Sequence, residues 1–134
     1  EYIIIHCSAT SPSQDNGRTE IDRWHRERGF LGIGYHFVIR RDGTIETGRN
    51  LDEAGAHAEG YNNRSIGICL VGGTTPKGKA ESNFTEKQFE ALHGLLTTIK
   101  VSYPAATIIG HREVNKSKAC PSFDVQQWLR NRSL

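Results

Sequence analysis

His6 closes one apolar run, Tyr2-Ile3-Ile4-Ile5, and His111 closes a second, Ala106-Thr107-Ile108-Ile109-Gly110. Cys120 lies nine residues past His111, with Lys118 just ahead of it. A strand end is a rigid mount, so side chains at the ends of neighbouring strands converge on one point across any separation in sequence. Two imidazoles and one thiolate make a zinc set that leaves the fourth tetrahedral position to water, the arrangement of a catalytic rather than a structural site. The chemistry these residue types predict is metal-assisted hydrolysis.

The chain has six histidines and three cysteines, so most of them must serve other ends. His25 sits among Arg23, Arg26 and Arg28 and reads as a surface residue. His93 lies beside the apolar face of its helix and reads as a satisfied or solvent-edge residue. Cys7 and Cys69 fall on or at the end of apolar strands, where small thiols pack. His6, His111 and Cys120 differ in standing at strand ends or just past them, in polar sequence punctuated by glycine or proline. A metal-free alternative stays open, with Cys120 or Cys7 as nucleophile and His111 as base. Activity that survives chelation would favour it.

Helices and strands must mix to position these groups. Residues 2–5 read as a strand, residues 8–17 as a loop, and residues 20–28 as a helix capped by Thr19 and ended by Gly29. Residues 35–39 and 44–47 read as a hairpin around Arg41-Asp42-Gly43, since Asp-Gly is a strong turn signal. Residues 51–63 have no period and read as a functional loop, and residues 65–71 as an apolar strand. Thr85 and Gln88 form a capping box, with Phe84 and Phe89 as its staple, ahead of a helix whose face is Phe89, Leu92, Leu96 and Ile99. Phe123-Asp124 and Trp128 repeat the device at a last helix, and residues 107–109 are the strand that delivers His111. The expected fold is α/β (α+β): one domain over residues 1–134, a central mixed sheet flanked by about three helices.

Composition permits this reading and narrows it a little. A chain of 134 residues buries roughly 68% of its unfolded surface, enough for a core without staples. A net charge of +2 is too mild for a nucleic-acid footprint, though it suits an anionic polymer such as a bacterial wall. No apolar stretch approaches the length of about 20 residues that a membrane span needs. No basic-then-apolar signal segment opens the chain, which starts inside its first strand, so native residues are expected ahead of Glu1. An odd cysteine count in so short a chain argues against a disulfide framework and for a reducing cytoplasm. Nucleic-acid and membrane partners are not expected, and a monomer is.

Six ordered stretches carry a resemblance: Ile5-His6-Cys7-Ser8-Ala9-Thr10, Gly34-Tyr35-His36-Phe37-Val38-Ile39, Arg41-Asp42-Gly43-Thr44-Ile45, Gly60-Tyr61-Asn62, Ser65-Ile66-Gly67-Ile68 and Lys118-Ala119-Cys120-Pro121. Together they resemble the zinc-dependent N-acetylmuramoyl-L-alanine amidases of the class shared by short phage lysozymes and animal peptidoglycan-recognition proteins. The similarity runs over nearly the whole chain and is nearest to the phage branch. It implies one zinc per chain on His6, His111 and Cys120, a catalytic tyrosine at Tyr35 and a catalytic lysine at Lys118. The segment between His111 and Cys120 runs about one residue longer than the family's, which makes Lys116 the alternative. The direct match of Lys118-Ala119-Cys120-Pro121 assigns Lys118.

The implied substrate is bacterial peptidoglycan, cut at the amide between N-acetylmuramic acid and the L-alanine of the stem peptide. Zinc lowers the pKa of a bound water toward about 7, and a lysine beside the developing oxyanion is worth roughly 3–4 kcal/mol. Tyr35 orients or relays a proton, since a phenol with its usual pKa of about 10 is a poor base. So long and polar a ligand calls for an open groove, with His57, Tyr61 and Asn62 on one wall. His36 is a further substrate-binding candidate, although a regular strand turns it to the face opposite Tyr35. The expected route is synthesis in the host cytoplasm and action on the wall after release, as an endolysin. A binding-only wall module is disfavoured because such relatives lose the cysteine ligand. The resemblance carries one more partner, the phage RNA polymerase that some phage lysozymes bind, on which the composition is silent.

Overall fold

The computed structural model describes residues 1–11, 17–29, 32–115 and 118–132. Among these residues five strands form one sheet: β1 (Tyr2–Cys7), β2 (Phe37–Ile39), β3 (Ile45–Thr47), β4 (Ser65–Leu70) and β5 (Thr107–Gly110). Their order is β3-β2-β4-β1-β5, with only the β2–β3 hairpin antiparallel. The mixed sheet expected from the sequence is therefore present. Gly43 makes the hairpin turn at φ 91°, a conformation that favours glycine, and Asp42 accepts from the Thr44 N–H at 2.9 Å.

Strand alternation sorts the side chains onto two faces. Ile3, Ile5, Ile66, Ile68 and Leu70 pack under α2 (Glu86–Ser102) and α4 (Val125–Asn131), against Leu92, Leu96, Ile99, Val125 and Leu129. The opposite face carries Val38 and Cys69 under α1 (Arg18–Glu27), against Ile21 and Trp24. The long helix begins as its capping box dictates. Gln88 N–H donates to Thr85 Oγ1 at 3.1 Å, and Thr85 N–H donates to Gln88 Oε1 at 2.9 Å. Gln88 is fully buried, and its amide also donates to Ile39 O and Val71 O, which ties the helix start to the sheet.

Three expectations change. The first helix starts at Arg18 rather than after Thr19, because the Glu20 carboxylate takes the Gly17 N–H at 3.0 Å and closes the turn one residue earlier. The described residues hold a fourth helix, α3 (His111–Val114), where about three had been expected. It is a single turn, too short to show a period, and forms because Glu113 accepts from Gly110 N–H at 2.6 Å. His6 lies within β1 rather than at its end, since the strand runs on to Cys7. Part of the 8–17 loop, residues 12–16, and the alternative Lys116 lie outside the described residues. Among the described residues no helix is long and apolar enough to cross a membrane.

Candidate metal centre

Register brings the first two donors together. Ile5 pairs with Gly110 across the parallel β1–β5 ladder, so the next step along each strand sets His6 beside His111. Their ring centroids are 4.4 Å apart. Cys120 returns to this point because its carbonyl accepts from Arg112 N–H at 2.7 Å. Its sulfur accepts from Cys7 N–H at 3.0 Å. Gln126 of α4 donates to Ile108 O and to Glu113, which fixes the turn that carries His111. One donor atom each from His6, His111 and Cys120 lie within 4.8 Å of one another. Two nitrogens and a sulfur at that spacing suit one tetrahedral ion, with His6 buried and the other two half-buried.

The electrostatics suit a cation as well. Burial, then His57, His111 and His25, hold His6 well below the usual imidazole range. His111 is lowered by burial and by the Lys118 ammonium. His57 is lowered to about 3 by burial, then by His36, His111 and Arg49. All three rings are neutral near pH 7, so His6 and His111 each have a lone pair for a metal. The Cys7 thiol and burial push Cys120 up, which favours the thiol until a cation at this point stabilises the thiolate.

Tyr35 stands beside the set, its ring 5.0 Å from that of His6. Burial, then the charges of Cys69, Cys120 and Cys7, raise its phenol well above the usual value, which keeps it protonated. A surface groove opens over the centre, and Lys118, Asn62 and His57 line it together with His6, His111, Cys120 and Tyr35. Two expected residues do not reach it. His36 is 1% exposed, and both its nitrogens are engaged, Nε2 with Glu53 O and Nδ1 with Gly67 N–H. It struts the sheet and leaves no edge for a ligand. Tyr61 packs edge-on against Tyr2 at 5.3 Å, with the Arg64 guanidinium over its ring, away from the groove.

Three residues have more to do here than the sequence suggested. His25, expected at the surface, is 7% exposed and lines the groove. Its Nδ1 accepts from Gly34 N–H at 2.8 Å and thereby sets the segment that carries Tyr35. The signal was helical spacing, since His25 follows Ile21 by one turn and shares its buried face. Cys7, read as a packing thiol or an alternative nucleophile, supplies the N–H that holds the Cys120 sulfur. Arg28 adds a cation to the groove, one that no motif had marked.

The sequence pattern of the N-acetylmuramoyl-L-alanine amidase family matches residues 1–123. The chain is 52% identical to the endolysin of Escherichia phage T7 over 134 residues, covering 100% of this chain and 88% of that one. It is 51% identical to the endolysin of Klebsiella phage KP32 over 132 residues, covering 98% and 87%. Among solved structures, the N-acetylmuramoyl-L-alanine amidase LysC from Clostridium intestinale URNW superimposes with a TM-score of 0.82 at 30% identity, over 99% of this chain and 85% of that one.

Proposed function

Since this chain belongs to the N-acetylmuramoyl-L-alanine amidase family, we propose that its residues 1–134 act as one zinc-dependent catalytic domain, with His6, His111 and Cys120 holding a single zinc ion. The enzyme degrades peptidoglycan by hydrolysing the amide between the lactyl group of N-acetylmuramic acid and L-alanine. The observation that carries the zinc reading is the convergence of two neutral imidazoles and one thiol at the floor of an open groove. When bound there, zinc acts as a Lewis acid and lowers the pKa of a coordinated water.

The remaining roles follow from the side chains around that point. Tyr35, held protonated, donates a hydrogen bond toward the scissile amide and does not act as a base. Lys118 places an ammonium at the groove, close enough to lower His111 by its charge. Its charge opposes the oxyanion that develops on the carbonyl. Asn62 shapes one wall, where its Oδ1 accepts from His57 N–H and Ala58 N–H at 2.8 and 2.9 Å. The openness of the groove fits a long glycan strand with its peptide better than a small molecule. The enzyme works as a monomer in this reading.

Digestion of purified wall material, with and without a strong chelator, tests the zinc proposal. The expected outcome is new L-alanine amino ends without new reducing sugar ends, loss of activity on chelation, and recovery on adding zinc. Undiminished cleavage by metal-free protein would return the cysteine-nucleophile alternative.

A further inference from the structure

His57 lies outside the donor set yet touches it. Its Nδ1 is 2.8 Å from Nε2 of His6. Two nitrogens on one tetrahedral zinc stand roughly 3.3 Å apart, so this shorter separation is a hydrogen bond and not shared ligation. Which ring carries the proton is settled one link further out. Ser65 has one hydroxyl proton, and it goes to Tyr61 O at 2.7 Å, because a carbonyl can only accept. The same hydroxyl oxygen is 3.2 Å from His57 Nε2 and so must accept from it. His57 is then protonated at Nε2 and bare at Nδ1. Its bare Nδ1 accepts from His6 Nε2–H, which leaves the lone pair of His6 on Nδ1.

The relay has a fixed seat. Main-chain N–H groups of His57 and Ala58 both donate to Asn62 Oδ1. The imidazole lies flat on Gly67 of β4, where a Cβ would stand 2.7–2.9 Å from its Cγ, Cδ2 and Nδ1. Any other residue at position 67 would lift the ring. His57 has no proton to give at Nδ1, and its hydrogen bond to the donor set is the one to His6.

The geometry points to His57 as a positioning residue that, with Ser65, fixes the tautomer and orientation of His6 and so selects Nδ1 as its metal-binding atom. This rests on the zinc reading only for what binds at His6, since the tautomer itself is a property of the metal-free protein. Groups that orient a metal-binding histidine typically contribute 10–100-fold in metal affinity.

Two measurements test it. In metal-free protein labelled with ¹⁵N, long-range ring correlations should show His6 and His57 each protonated at Nε2 alone, and Ser65→Ala should release His57 into a mixture of tautomers. His6 protonated at Nδ1 in the unaltered protein would overturn the inference. Zinc affinity by chelator competition should then fall 10–100-fold in His57→Phe, which keeps the ring bulk but removes the acceptor. His57→Asn, whose Oδ1 takes the place of Nδ1, should recover much of that loss. Equal affinity in His57→Phe and unaltered protein would also overturn it. Failure of the unaltered protein to bind zinc refutes the metal assignment, while the ring spectra still decide the tautomer.

Discussion

Gly67→Ala is the smallest change that should disturb the centre without touching a donor. A Cβ at this position would meet His57 Cγ at 2.7 Å, whereas relaxed carbon contacts lie at about 3.5–4.0 Å. The ring must therefore move by about 1 Å. The sheet cannot yield instead, since Ile68 and Cys69 beside it are fully buried. A shift of that size stretches the 2.8 Å contact to His6 past hydrogen-bonding range. Overpacking of this kind costs about 1–3 kcal/mol, or about 3–5 °C in Tm per kcal/mol for a domain of this size. In a His57→Ala background the obstacle is gone, and the added methyl should stabilise by about 0.5 kcal/mol through the unfolded chain. The coupling energy between the two sites should thus be about 1.5–3.5 kcal/mol. Urea denaturation of the four metal-free proteins, followed by Trp24 and Trp128 fluorescence, measures it. Equal cost of Gly67→Ala in both backgrounds, within about 0.5 kcal/mol, would refute the reasoning.

Lys118→Ala and Tyr35→Phe should keep their zinc and their fold yet cut wall material about 10²-fold more slowly or worse, because each removes a group needed mainly in the transition state. Metal analysis beside a cleavage assay checks both halves of that statement. The metal-free protein should lose stability as pH falls below about 6.5, the usual imidazole value, because the unfolded chain takes up protons that His57, lowered to about 3, refuses. From pH 7 to pH 5 that one residue accounts for about 2 kcal/mol, and denaturation at the two pH values should show the difference shrink in His57→Phe.

Much of this molecule was legible where a local rule coincides with the tertiary one. The Thr85–Gln88 box and the Asp42-Gly43 turn are written in consecutive residues, and both formed as read. His6 and His111 were legible because apolar runs announce strands, although His6 stands one residue inside its strand, and Cys120 joined them by its residue type and by the resemblance. What stayed hidden depends on contacts across the fold. The turn of α3 exists because Glu113 reaches back to Gly110 and Arg112 reaches across to Cys120, and four residues carry no period to betray it. His36 and His57 look alike in sequence, each polar and next to strand or loop. Only the packing sets one as a buried strut and the other against His6. Tyr61 looked like groove wall because Asn62 beside it is one, but the loop turns it toward Tyr2 and Arg64.

X-ray absorption at the zinc edge tests the central claim most directly, since it reads the donors themselves. The account predicts one zinc per chain with a single sulfur at about 2.3 Å and nitrogen or oxygen neighbours at about 2.0–2.1 Å, and loss of both the sulfur shell and most of the metal in Cys120→Ser. A full zinc complement in Cys120→Ser, or a zinc shell without sulfur in the unaltered protein, would contradict it.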